Sequence, residues 1–162
     1  MKLLVAAVVL SVAAVPSTAG AQPVAVRGIA AVGSASDVNR EQVFALGGGV
    51  VADLGQRFVS AGAQGDAFTS DGYWAGRGSV FGQFNLVRTP AIRLFALTGV
   101  GFGEYDGPMV GGGLDIWPDE GRFGFRLAFE DYLVKYDRYD SGLQPAGRTT
   151  GHQLSVKLGV LF

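Results

Sequence analysis

Leu154-Ser155-Val156-Lys157-Leu158-Gly159-Val160-Leu161-Phe162 is the stretch whose reading decides the fold. Leu154, Val156, Leu158, Val160 and Phe162 are apolar, and Ser155, Lys157 and Gly159 between them are polar or tiny. A period of two denotes a β-strand with one apolar face and one face that takes a charge. In a soluble protein the apolar face would line the core. The rest of the chain assigns that face to lipid, with Lys157 pointing into a barrel.

The chain opens with Lys2, an unbroken small-apolar run from Leu3 to Val15, and then Pro16-Ser17-Thr18-Ala19-Gly20-Ala21. A basic start, an apolar stretch and an Ala-x-Ala site make a secretory signal peptide, so residues 1–21 are expected to be removed. The run is too short to span a bilayer comfortably. Residues 22–162 then form one domain, with no room for a second. The whole chain has 13 Lys and Arg against 14 Asp and Glu, and losing Lys2 takes the mature charge to about −2. That charge gives no reason to expect nucleic acid as a partner. There is no cysteine, so no disulfide framework holds an exported chain together. Glycine is abundant, 26 of 162 residues, against an ordinary share of roughly 7%. Nothing after residue 21 is long and apolar enough for a transmembrane helix. A mature chain in a membrane must therefore be a closed barrel, which alone besides a helix pairs all its backbone groups in hydrocarbon.

Seven further segments resemble the last. They are expected near 24–35, 42–53, 57–68, 74–87, 92–103, 109–116 and 122–134. In the fourth, Val80, Gly82, Phe84 and Leu86 alternate with Ser79, Phe81, Gln83 and Asn85. In the seventh, Phe123, Phe125, Leu127 and Phe129 alternate with Arg122, Gly124, Arg126, Ala128 and Glu130. Phe58, Phe95 and Leu97 leave the facing of strands three and five open. Eight such strands make an all-β, antiparallel, up-and-down transmembrane barrel. Connections read as tight after strands two, four and six and longer after one, three and seven, with 104–108 the short exception. That asymmetry is how outer-membrane barrels are built, with both mature termini periplasmic. A soluble lipocalin-like binding barrel also alternates, but keeps its apolar residues inside. Two patterns favour the membrane reading: aromatics near strand ends (Tyr73, Trp74, Tyr105, Tyr132 and Tyr136 against Trp117 and Phe162), and charged strand residues opposite apolar faces.

With export signal, strand count and terminal Phe162 together, the chain resembles the small outer-membrane β-barrel families, the OmpA-like, OmpX-like and opacity-protein-like group. Residues 123–132 (FGFRLAFEDY) and 97–103 (LTGVGFG) are similar to strands of that group. The resemblance implies a monomer in the bacterial outer membrane, surrounded by outer-membrane lipid. It implies that Leu154, Val156, Leu158, Val160 and Phe162 are the signal read by the barrel-assembly machinery. The soluble peptidoglycan-binding domain of full-length OmpA-like proteins has no counterpart, so no tether to the cell wall is implied.

An eight-stranded barrel leaves an interior that side chains fill. Arg27, Arg77, Asp115, Arg126, Glu130 and Lys157 are the expected interior polar network, with Asp53, Asp66 and Arg93 as further candidates. Buried charges must pair, so a sealed plug is the leading reading and a narrow porin-like conduit for small solutes the alternative. Lys157 is expected to seek an acidic partner such as Glu130. His152 is the only histidine, expected on the lipid-facing side near the rim. Outer-membrane lipid A deacylases need His and Ser two residues apart plus a carboxylate; here position 154 is Leu, so no enzyme chemistry is expected. The run 135–142 (KYDRYDSG) lacks the closing Glu of an EF-hand loop and reads as a solvated rim that an extracellular ligand could meet. Glycines at 47–49, 99–103 and 111–113 open no helix, so they hold no nucleotide. No pattern calls for a cofactor or a metal.

Overall fold

A computed structural model describes residues 25–36, 42–54, 58–70, 73–103, 106–118, 122–139 and 145–162, with side chains outside Ser70, Tyr73, 136–139 and 145–149. The expected signal peptide, 1–21, lies outside the described residues. Eight strands follow in order: β1 (Val26–Ser36), β2 (Gln42–Asp53), β3 (Val59–Ser70), β4 (Tyr73–Arg88), β5 (Ile92–Gly103), β6 (Gly107–Ile116), β7 (Gly124–Tyr139) and β8 (Pro145–Leu161). Each pairs antiparallel with the next, and β8 returns to β1 from Ile29↔Leu161 to Ala35↔Ser155, closing the barrel. The terminal alternating stretch is thus the seam. No sheet edge is left open within the closed part, as a hydrocarbon surrounding requires.

The barrel wears its apolar residues outside. Phe125, Leu127, Phe129, Val156, Leu158 and Val160 are exposed, while Arg77, Asp115, Arg126, Glu130 and Lys157 are buried. A soluble barrel has the reverse arrangement. From Phe123, just before β7, to Leu133 the outward positions are apolar except Asp131. At roughly 3.3 Å per residue and a tilt near 40° this spans about 25 Å, the height of a transmembrane barrel's apolar belt.

The interior is narrow, and inward glycines make the room. Gly113 shares the inward parity of Met109 and Asp115, and a Cβ built there would stand 2.6 Å from the ring of Phe95, its cross-strand partner. At Gly101 the ring of Tyr132 lies 3.0 Å from the same hypothetical atom. Aromatic rings therefore pack directly against glycine backbone, a device that pins sheet register. Phe95 and Leu97 are buried inside, which settles the facing of β5, while Phe58 lies exposed in the turn before β3.

Three expectations need correction. The connections do not differ in length as read: 37–41, 71–72, 104–106 and 140–144 at one rim face 54–58, 89–91 and 117–123 at the other. The supposed long loop after residue 134 is mostly ladder, because β7 and β8 stay paired from Gly124↔Leu161 to Tyr139↔Pro145. Polar, charged residues on a hairpin that leaves the apolar belt look like loop residues in sequence. We name the two ends accordingly the hairpin rim and the terminal rim. Finally, Tyr132 and Trp117 are not girdle residues. Both are buried in the lumen, where the parity of Tyr132 with Arg126 and Glu130 puts it. Trp74 and Phe162 do point outward.

Candidate functional site

The inward faces bring the charged side chains into three groups stacked along the lumen. Nearest the hairpin rim, Lys157 bridges two carboxylates, Asp66 at 2.7 Å and Glu130 at 2.8 Å. Asp66 also accepts from Arg77 at 2.9 Å. Arg77 donates to Gln153 and its guanidinium lies 3.3 Å from the centroid of Tyr132. Glu130 is completed by neutral donors: Gln64 gives a bond of 2.8 Å and the Tyr132 hydroxyl one of 3.1 Å. Two cations meet two anions here, each engaged more than once. Phe68 closes the group on its outer side, 5.2 Å from the Arg77 guanidinium.

In the middle, Arg126 grips Asp115 with two parallel bonds, Nε to Oδ1 at 2.6 Å and a terminal nitrogen to Oδ2 at 2.8 Å. This fork-on-fork pairing is the strongest form of the ion pair. The same guanidinium stacks on Phe95, 4.4 Å from its centroid, and donates to Gln83 at 3.0 Å. From Gln83 a chain of side-chain hydrogen bonds descends: Gln83 to Asn85 at 2.8 Å, Asn85 to Ser60 at 3.2 Å, Ser60 to Asp53 at 2.7 Å.

At the terminal rim, Asp53 is shared by three arginines: Arg88 at 3.0 Å, Arg27 at 3.1 Å and Arg93 at 3.4 Å. Trp117 lies against two of them, 5.5 Å from Arg27 and 5.2 Å from Arg93. Arg88 arrives through an irregularity. The β4–β5 register shifts between Asn85 and Val87, so that Arg88 pairs with Arg93 on the inward side. Strict alternation would have put it outside with Phe84 and Leu86. A bulge that re-aims a side chain is the usual role of such an insertion.

All six residues expected in the interior network thus lie in the lumen, but in separate groups: Arg77, Glu130 and Lys157 in the upper one, Asp115 and Arg126 in the middle, Arg27 at the terminal rim. Sequence reading missed Gln64, Gln83, Asn85, Gln153 and Ser60, the neutral partners that complete the bonds. Their parity with Asp66, Arg77 or Lys157 on the same strand was the available signal. The five residues expected as an assembly signal, Leu154, Val156, Leu158, Val160 and Phe162, all face outward and are exposed.

His152 sits on the outer surface, exposed, with Nδ1 2.9 Å from Asp131. The structure therefore supplies a carboxylate that spacing alone had not revealed, while the position two residues on remains Leu154. Among the described residues no group of three or more His, Asp or Glu side chains converges as a metal site.

The architecture is that of a small, inside-polar, eight-stranded transmembrane barrel. Among solved structures it is similar to the N-terminal β-barrel domain of Pseudomonas aeruginosa OprF, at 12% identity and a TM-score of 0.56, covering 85% of this chain and 96% of that one. It is also similar to Neisserial surface protein A (NspA), at 8% identity and a TM-score of 0.60, covering 86% of this chain and 98% of that one. Identities this low carry the fold alone. No protein-family model matches the chain, and no curated protein does.

Proposed function

We propose that this chain is an integral protein of the bacterial outer membrane, exported by its signal peptide and assembled by the barrel-assembly machinery. In this reading its role is structural or surface-interactive, without enzyme chemistry. The observation that carries it is the lumen: two groups of opposite charges pair fully, linked downward by hydrogen bonds, inside a wall whose outer face is apolar. A lumen filled this way is a plug. It stiffens the barrel and leaves the rims as the surfaces available to partners.

In this reading the terminal rim faces the periplasm and the β7–β8 hairpin projects outward as a surface for an extracellular ligand. The barrel acts as a monomer among outer-membrane lipids. An enzymatic role finds little support, because His152 and Asp131 have no nucleophile two residues along. Substituting His152→Ala is expected to leave lipid A unchanged in mass spectra.

The deciding experiment is recording from the refolded protein in planar bilayers. The expected result is no steady conductance. Sustained single-channel steps would refute the plug and favour a narrow conduit. Protease accessibility of the hairpin on intact cells tests the orientation, and cleavage only after outer-membrane rupture would reverse it.

A further inference from the structure

The hydrogen bonds described above for the lumen fall into two sets with no residue in common. Lys157, Asp66, Glu130 and Arg77 are bonded among themselves and to Gln64, Tyr132 and Gln153. Arg126 and Asp115 belong to the other set, which runs through Gln83, Asn85 and Ser60 to Asp53. What separates the two is read along the strands. On β4 the inward position between Ser79 and Gln83 is Phe81, and on β7 the one between Glu130 and Arg126 is Ala128. On β3 the one between Gln64 and Ser60 is Gly62, and the Phe81 ring lies against it in the space a side chain would need. Leu97 of β5, Ile29 of β1 and Val51 of β2 join Phe81 and Ala128 in one apolar cluster, and all five are at most 7% exposed. From Ser79 to Gln83 the layer takes up about 10 Å of lumen height, at roughly 3.3 Å per residue and a tilt near 40°.

Polar groups on their own are a poor seal. Each can exchange a bond to its partner for one to water at small net cost, so a column of them can pass water and ions along. Side chains without polar atoms offer nothing in place of a hydration shell, and a narrow apolar constriction closes a pore by staying dry. We propose that this apolar layer, and not the ion pairs on either side of it, is the barrier in the lumen, with Phe81 and Leu97 at its centre. The proposal rests on the reading of the lumen as a plug and names the part of the plug that stops water and small ions. The charged groups above and below tie the strands together across the lumen.

The test uses the full chain refolded into phospholipid vesicles loaded with potassium chloride, with salt release followed by an ion-selective electrode. Each variant is first checked for the gel-mobility difference between unboiled and boiled samples. L97S and L97A remove nearly the same bulk and differ by one hydroxyl. L97S is expected to release salt roughly tenfold faster than the parent, because the hydroxyl holds water in the layer. L97A should stay within about twofold of the parent, since small apolar cavities remain dry. K157M/E130Q removes a charge pair, leaves the layer intact and should also keep the parent's rate. Equal release by L97S and L97A would overturn the proposal, because packing and not dryness would then be the barrier. Release by K157M/E130Q matching that of L97S would overturn it too, as would an L97S barrel as tight as the parent. If L97S gives no mobility difference, V51T against V51A repeats the comparison at a second position of the layer, with the hydroxyl variant again expected to leak and equal rates again overturning the proposal. Steady release by the parent would overturn the plug reading itself, so the two failures are told apart.

Discussion

Replacing Lys157 by Met removes the one cation that touches both Asp66 and Glu130 while keeping a side chain of similar length. Asp66 retains Arg77 at 2.9 Å, whereas Glu130 is left with neutral donors, Gln64 and Tyr132. The structure thus predicts a buried carboxylate without a charged partner, which in proteins costs about 3–5 kcal/mol. Adding E130Q removes the stranded charge and leaves the Asp66–Arg77 pair intact, so the double variant should recover at least half of that loss. The assay is urea unfolding in micelles, read by the mobility of the unboiled band. With a slope of about 2 kcal/mol per molar, K157M should lower the midpoint by about 1.5–2.5 M. Equal destabilisation of K157M and K157M/E130Q would refute the reasoning, because the loss would then come from packing and not from charge. A K157M loss below about 1 kcal/mol would mean that water reaches the site.

Further outcomes follow from the outer face, the inner wall and the seam. L158R puts a charge on the middle of the lipid-facing seam, and in lipid vesicles should cost about 2–4 kcal/mol; a soluble barrel would tolerate it in buffer without loss. G113V should destabilise by about 1–3 kcal/mol, since its side chain meets the Phe95 ring and the Leu127 carbonyl. G65A, where the nearest atom is 4.0 Å away, should be close to neutral in the same unfolding series. F162A should fold in micelles much as the parent does but accumulate poorly in outer-membrane fractions; normal accumulation would separate the terminal aromatic from assembly.

The fold was legible because a charge recurring in an apolar alternation has one place to go when the outside is hydrocarbon. Arg126, Glu130 and Lys157 could be placed from parity alone, and β2 and β5 run over the residues expected, 42–53 and 92–103. The candidate site was legible in its charges but not in its grouping. Lys157 reaches Asp66 as well as Glu130, across a lumen whose circumference no local pattern encodes. Tyr132 was misplaced because an aromatic near a strand end fits a bilayer girdle as well as a lumen, although its parity with Glu130 told the two apart. Trp117 lies just past β6, where parity no longer speaks. The β7–β8 hairpin was hidden by its loop-like composition, since outside the bilayer a strand needs no apolar face.

The register shift at Leu86 has a consequence for how this chain can change length. Within a strand the alternation works as a reading frame with two states, and one added residue moves everything beyond it into the other. Here the frame changes just before the strand ends, so the shift reaches Val87 and Arg88 and is then absorbed by the turn. Deleting Leu86 would remove the irregularity and make the pairing continuous, Asn85, Val87 and Arg88 standing opposite Phe95, Leu94 and Arg93, so Arg88 would keep its inward place beside Asp53. A one-residue deletion at that point would leave the arginines of the terminal rim in place, whereas one further up β4 would carry its charged residues to the opposite face.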